Sequence, residues 1–118
     1  MINVYNDINI QKMEGCLYKS NDNVDMNYYL INSVATYNVV AIEFESFNSR
    51  FISKDRLFDY NEIAFSAENV KAILDNYVEF KDNIDYSWLD DYNELVFNNK
   101  VYIIKNWINL FNFVACRF

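Results

Sequence analysis

The stretch DNIDYSWLDDYNELVF, residues 82–97, combines five carboxylates with three polar-edged rings and holds no Lys, Arg or Gly. The acids are Asp82, Asp85, Asp90, Asp91 and Glu94, and the rings are Tyr86, Trp88 and Tyr92. Carboxylates can move protons, ligate hard cations or bind guanidinium and ammonium groups, and spacing decides among these. Asp90 and Asp91 are adjacent, so they diverge on a helix and point to opposite faces on a strand. That is a poor acid–base pair. A glycosidase pair can be assembled from distant positions, but it needs a sugar cleft, and 118 residues leave little room for one. Recognition is the better use. Carboxylates form charge-assisted, often bidentate bonds to guanidinium groups, and Tyr and Trp anchor protein interfaces.

The other chemistry-bearing residues are few. The chain has no His, which removes the usual general base and the commonest metal ligand. Its single Gly, Gly15, cannot build a phosphate loop or a dinucleotide fingerprint. Cys16 and Cys116 are far apart in sequence and make no zinc motif. They are expected as free, buried thiols of a cytoplasmic protein, with a disulfide joining the two ends as the alternative. Asn21, Asn23 and Asp25 alternate as calcium-loop ligands do. Met26 then stands where such a loop needs Gly, and Asn32 where it needs an acid, so a plain Asn/Asp turn is the expectation. No catalytic residue, cofactor or metal is expected.

Charge is distributed unevenly. The net charge is −7, yet residues 55–94 hold eleven acids against three bases, and the remainder carries six acids and seven bases. The excess therefore lies in one block. Such a field argues against nucleic acid or an anionic membrane as partner, because both need Lys and Arg to neutralise phosphates. It favours a basic protein. The plainer reading is a solvated acidic face that keeps the protein soluble. The N-terminus MINVYNDINI shows no basic segment followed by an apolar run, so no signal peptide is expected, and no apolar run is long enough to span a membrane.

A single domain over 1–118 is expected, since 53% apolar and 19% aromatic residues can furnish a core at this length. With no Pro and one Gly, turns must use the 19 Asn residues and the Asp residues. Asn, Ile, Tyr, Phe and Lys share A/T-rich codons, a composition found in low-GC bacteria and phages.

Within the acidic block, SAENVKAILDNYVEF predicts a helix over 67–80, capped by Ser66. Glu68 stands in its first turn, and Val70, Ile73, Leu74, Tyr77 and Val78 form its apolar face. VVAIEFESF predicts a strand over 39–47, with Ile42, Phe44 and Ser46 on one face, followed by a second strand near 51–54. ELVFNNKVYIIK predicts a hairpin, with strands over 94–97 and 100–105 around Asn98-Asn99. The end, INLFNFVACRF, reads as a buried strand. Residues 1–5 read as a strand, 7–19 as helix or loop, and 26–37 as helix or strand. For 82–97 one packing reading is a short helix that buries Trp88, Leu89, Tyr92, Leu95 and Val96 and leaves the acids wet. The sum is an α+β class: one antiparallel sheet with one or two helices packed on one face.

The function expected on these grounds is a non-catalytic inhibitor or binding protein. Its most concrete form is a bacterial immunity protein that neutralises a cognate, basic, nuclease-type toxin through Asp82, Asp85, Tyr86, Trp88, Asp90, Asp91, Tyr92 and Glu94. The alternatives are a phage-encoded, anti-CRISPR-like inhibitor of a nucleic-acid-handling effector, and a plain structural or homo-oligomeric module.

Overall fold

The computed structural model describes residues 13–21 and 27–117. The expected Asn/Asp turn at 21–27 and the N-terminal strand fall largely or wholly outside them. The chain divides into two compact units, residues 1–63 and 64–118.

The first unit is built on a five-stranded antiparallel sheet. Its strands are β1 (Leu17–Ser20), β2 (Tyr28–Val34), β3 (Asn38–Glu43), β4 (Ser49–Ser53) and β5 (Tyr60–Ile63), in the order β4-β3-β2-β1-β5. The ambiguous segment 26–37 thus supplies a strand; of the segment 7–19, expected as helix or loop, residues 17–19 belong to β1 and residues 7–12 lie outside the described residues. Alternation along the strands sends Tyr29, Ile31, Val39, Ala41 and Ile52 to one core, which Leu57 joins from a 3-10 helix at Lys54–Asp59. Here β3 stops at Glu43, short of the expected end at 47. Phe47 takes a left-handed φ of 58° and donates its N–H to the Glu43 carbonyl at 2.8 Å. In a chain almost without Gly, this turn is made by a residue that strongly prefers other angles.

The second unit opens with α1 (Ala67–Leu74). Ser66 caps it as expected, accepting from the Asn69 N–H at 3.2 Å, and Val70, Ile73 and Leu74 are buried. The helix ends at Leu74 instead of 80. Asp75 and Asn76, whose side chains compete with helical bonding, introduce tight turns: Asn76 N–H donates to Ile73 and Tyr77 N–H to Leu74. The phase change puts Val78, expected on the apolar face, 92% exposed, while Phe80 becomes fully buried.

A three-stranded antiparallel sheet follows, β6 (Ile84–Asp85), β7 (Glu94–Phe97) and β8 (Lys100–Ile103), in that order, with a four-residue helix α2 (Leu89–Tyr92) between β6 and β7. The hairpin, its turn and its first strand are as expected, whereas β8 stops at Ile103 instead of 105. Phe97 faces Lys100, and Asn98 and Asn99 both take positive φ, 53° and 64°, as a two-residue turn of the primed type requires. The C-terminal segment corrects the sequence reading: it is a helix, α3 (Trp107–Ala115), not a strand. Asn106 caps it by accepting from the Asn109 N–H at 2.8 Å, and Trp107, Leu110, Phe113 and Val114 recur at helical spacing on its buried face. Phe113 lies 6.1 Å from Phe97 and 4.8 Å from Tyr102, ring centre to ring centre, which seats α3 on one face of the small sheet. Phe80 completes this cluster, 5.1 Å from Phe97 and 5.2 Å from Phe113. The class is α+β as expected, with two sheets among the described residues where one was expected.

Candidate functional site

The burial reading of residues 82–97 fails in an informative way. Of its five expected stripe residues only Leu89 and Leu95 are buried, and Val96 is half-buried. Trp88 is 50% exposed and Tyr92 60%. The helix is too short to carry a stripe. Asn93, left-handed at φ 57°, ends it after Tyr92, and the residues beyond it pair as β7, so the side-chain period changes from 3.6 to 2. Trp88 and Tyr92 remain neighbours one turn apart, with ring centres 5.4 Å apart and planes inclined at 52°. Asp90 and Asp91 lie between them in sequence, both exposed.

The other expected contact residues divide. Asp82 is exposed in the turn before β6, with φ 63°. Asp85 is exposed on β6. Its Oδ1 accepts from the Ser87 N–H at 2.9 Å and from the Ser87 hydroxyl, and these bonds hold its carboxyl below the ordinary value. Asp82 and Asp85 share a shallow hollow of about 610 Å³ with Asn98 and Asn99. Glu94 is half-buried on β7.

Tyr86 is less open than its neighbour Trp88. It is half-buried, with the Lys71 ammonium 5.9 Å from its ring centre. Its hydroxyl is enclosed without a hydrogen-bond partner among the described residues, as is Asp75 Oδ1, while Asp75 Oδ2 binds Lys71 at 2.9 Å. Burial, and secondarily the Asp75 charge, push the Tyr86 phenol up to about 12. Burial and then Glu62 do the same to Tyr18, also to about 12. Raised phenols stay neutral longer in the folded protein than in the unfolded chain. Their contribution to stability is therefore level below the ordinary phenol value of 10 and is lost as pH climbs towards 12. Urea unfolding at a series of alkaline pH values checks this. The expected result is a falling midpoint above that value, with a shallower fall in Tyr86→Phe.

Sequence reasoning missed several exposed apolar residues. Val101 and Ile103 on β8 are 57% and 54% exposed, and Tyr37, Phe51 and Phe58 are exposed in the first unit. For β8 the signal was present: alternation in KVYI puts Val101 and Ile103 on one face and Tyr102 on the other. On the α3 side of the small sheet, an open groove of about 790 Å³ holds Arg117, stacked 4.1 Å from the Phe113 ring centre and 4.7 Å from that of Tyr102. The two cysteines are not joined in a disulfide, and neither is buried as expected: Cys16 is half-buried and Cys116 exposed. Among the described residues no three His, Cys, Asp or Glu side chains cluster as metal ligands. No helix among them is long and apolar enough to cross a membrane.

No family model matches the sequence, and no curated protein or solved structure matches it.

Proposed function

We propose that this chain is a non-catalytic binding protein that holds a basic protein partner through the Trp88–Tyr92 corner of its second unit. The observation that carries the reading is the exposure of these two adjoining rings beside Asp90 and Asp91. Isolated exposed apolar residues are ordinary on protein surfaces. An adjoining Trp and Tyr with carboxylates beside them combine desolvating anchors with groups that pair with Lys and Arg. The concrete form we favour is an immunity protein for a basic, nuclease-type toxin. A nuclease is cationic where it grips the phosphate backbone, and a net charge of −7 suits that surface. Steering by the acids sets the encounter rate, and the rings supply the dry centre of the contact.

Co-expression with the polypeptide encoded by the neighbouring gene, followed by co-purification, tests the proposal. A basic toxin held in fixed ratio is the expected result, and separate elution of the two chains contradicts the immunity reading. Charge reversal adds a kinetic test. In stopped-flow at low salt, the double variant Asp90→Lys, Asp91→Lys is expected to associate about tenfold more slowly, with a flatter dependence on ionic strength. Its melting temperature stays close to that of the parent, because exposed charges contribute little to stability. An unchanged association rate would move the recognition surface elsewhere.

A further inference from the structure

Among the described residues, β8 is an edge strand of the small sheet. Hairpin geometry fixes which main-chain groups of β8 point inwards. In a two-residue turn of the primed type, the flanking residues, here Phe97 and Lys100, exchange hydrogen bonds. The next bonded pair is Leu95 with Tyr102, and the ladder continues where Ile104 N–H donates to the Asn93 carbonyl at 2.7 Å. Lys100, Tyr102 and Ile104 therefore turn their main-chain groups to β7. Val101 and Ile103 turn theirs the other way, to an edge on which no described residue pairs with them. Two N–H and two C=O groups stand in a row there.

The side chains mark the same place. Residues directly opposite each other share a sheet face. Asp85, Val96 and Val101 form one row across the sheet, and Glu94 and Ile103 form the next. Leu95, Phe97 and Tyr102 occupy the other face, under α3. The outer face is thus an apolar patch of Val96, Val101 and Ile103 bordered by two carboxylates. An edge strand with exposed β-branched residues and open main-chain groups is a template for another strand.

We propose that β8 receives an extended, basic segment of the partner as a fourth antiparallel strand. This rests on reading the chain as the binder of a basic protein, and it assigns that partner a strand-like contact element. On the outer face the visitor places an apolar residue beside Val101 and a Lys or Arg beside Ile103. The methylene stem of that cation covers Ile103, and its head reaches Glu94, two strands away at about 10 Å. A second copy of this chain fits the edge less well. Pairing two β8 strands about Tyr102 would align Val101 with Ile103, but it would join the Asp85 and Glu94 carboxylates of both copies on one face, at a charge of −7 per chain.

The test is a titration of the whole chain, isotope-labelled for amide NMR, with a capped octapeptide of Thr-Val-Thr-Lys repeated twice. A control peptide carries Glu in place of Lys. The expected result is a shift of the Val101 and Ile103 amides and at least a tenfold slowing of their hydrogen exchange with the Lys peptide only. Val101→Pro, which removes an outward N–H and leaves the β7 ladder intact, is expected to abolish both effects. Val101→Lys, which keeps the N–H, is expected to weaken them while preserving the spectrum of the fold. Shifts confined to the Trp88 indole, Asp90 and Tyr92 would overturn the edge proposal and leave the reading of that corner standing. Equal response to the Glu peptide, or no response to either, would overturn it as well. So would protection of the same amides in a peptide-free dimer detected by sedimentation, which would make a second copy the occupant.

Discussion

Replacing Trp88 and Tyr92 together by Ala is expected to weaken capture of the basic partner by at least about 30-fold, the factor for one interface anchor worth about 2 kcal/mol. The rings contact each other at 5.4 Å and are half or more exposed, so the fold draws little from them. Truncating exposed side chains typically changes stability by less than about 0.5 kcal/mol. Binding and stability should thus separate. Calorimetric titration measures the first and thermal melting the second. An equal loss in both would mean that the rings brace α2 rather than meet a partner. Trp88→Phe, which keeps a ring at the position, should retain much of the affinity.

The largest effect on stability is expected at Phe80. Phe80→Ala should cost about 3–5 kcal/mol in urea unfolding, because the substitution loses both transfer free energy and packing around the cavity left behind. Phe80 is fully buried and touches the rings of Tyr77, Phe97 and Phe113, which join the turn after α1 to β7 and α3. A typical domain has only about 5–15 kcal/mol in total, so the variant should be close to unfolding. Val78→Ala, two residues away, should cost almost nothing, because Val78 is 92% exposed. This pair of outcomes distinguishes the observed turn from the continuous helix over 67–80, in which Val78 would be buried.

Local signals in the sequence were legible where a single period or cap ruled an element. Ser66, the apolar spacing through Leu74 and the Asn98-Asn99 turn each led to the observed structure. Reading failed where the period changes within a few residues. After Leu74 the backbone tightens, and after Tyr92 a left-handed Asn93 converts helix to strand, so patterns extended through those points misassigned Val78, Trp88 and Tyr92. The segment from Trp107 was misread because Ile108, Leu110 and Asn112 imitate alternation. The Asn106 cap and the spacing of Trp107, Leu110, Phe113 and Val114 carried the correct signal. Two sheets in place of one could not be seen locally, because β1 pairs with β5 across some forty residues of chain.

The candidate site was legible in composition but not in its geometry. Acids and rings crowd residues 82–97 in any conformation. Which of them face solvent depends on α2 being four residues long. That length leaves Trp88, Asp90, Asp91 and Tyr92 outside, while Tyr86, ahead of the helix, is half-buried. Val101 and Ile103 join the surface only through the register of the hairpin.

Affinity capture from the producing host, with the parent chain and the Trp88→Ala, Tyr92→Ala variant as parallel baits, tests the central claim most directly. Bound polypeptides are identified by mass and eluted across a salt gradient. The expected result is one basic polypeptide, retained in fixed ratio by the parent, released as salt rises and missing from the variant. An empty parent bait, or the same polypeptide on both baits, would contradict the assignment of this corner as the partner-binding surface.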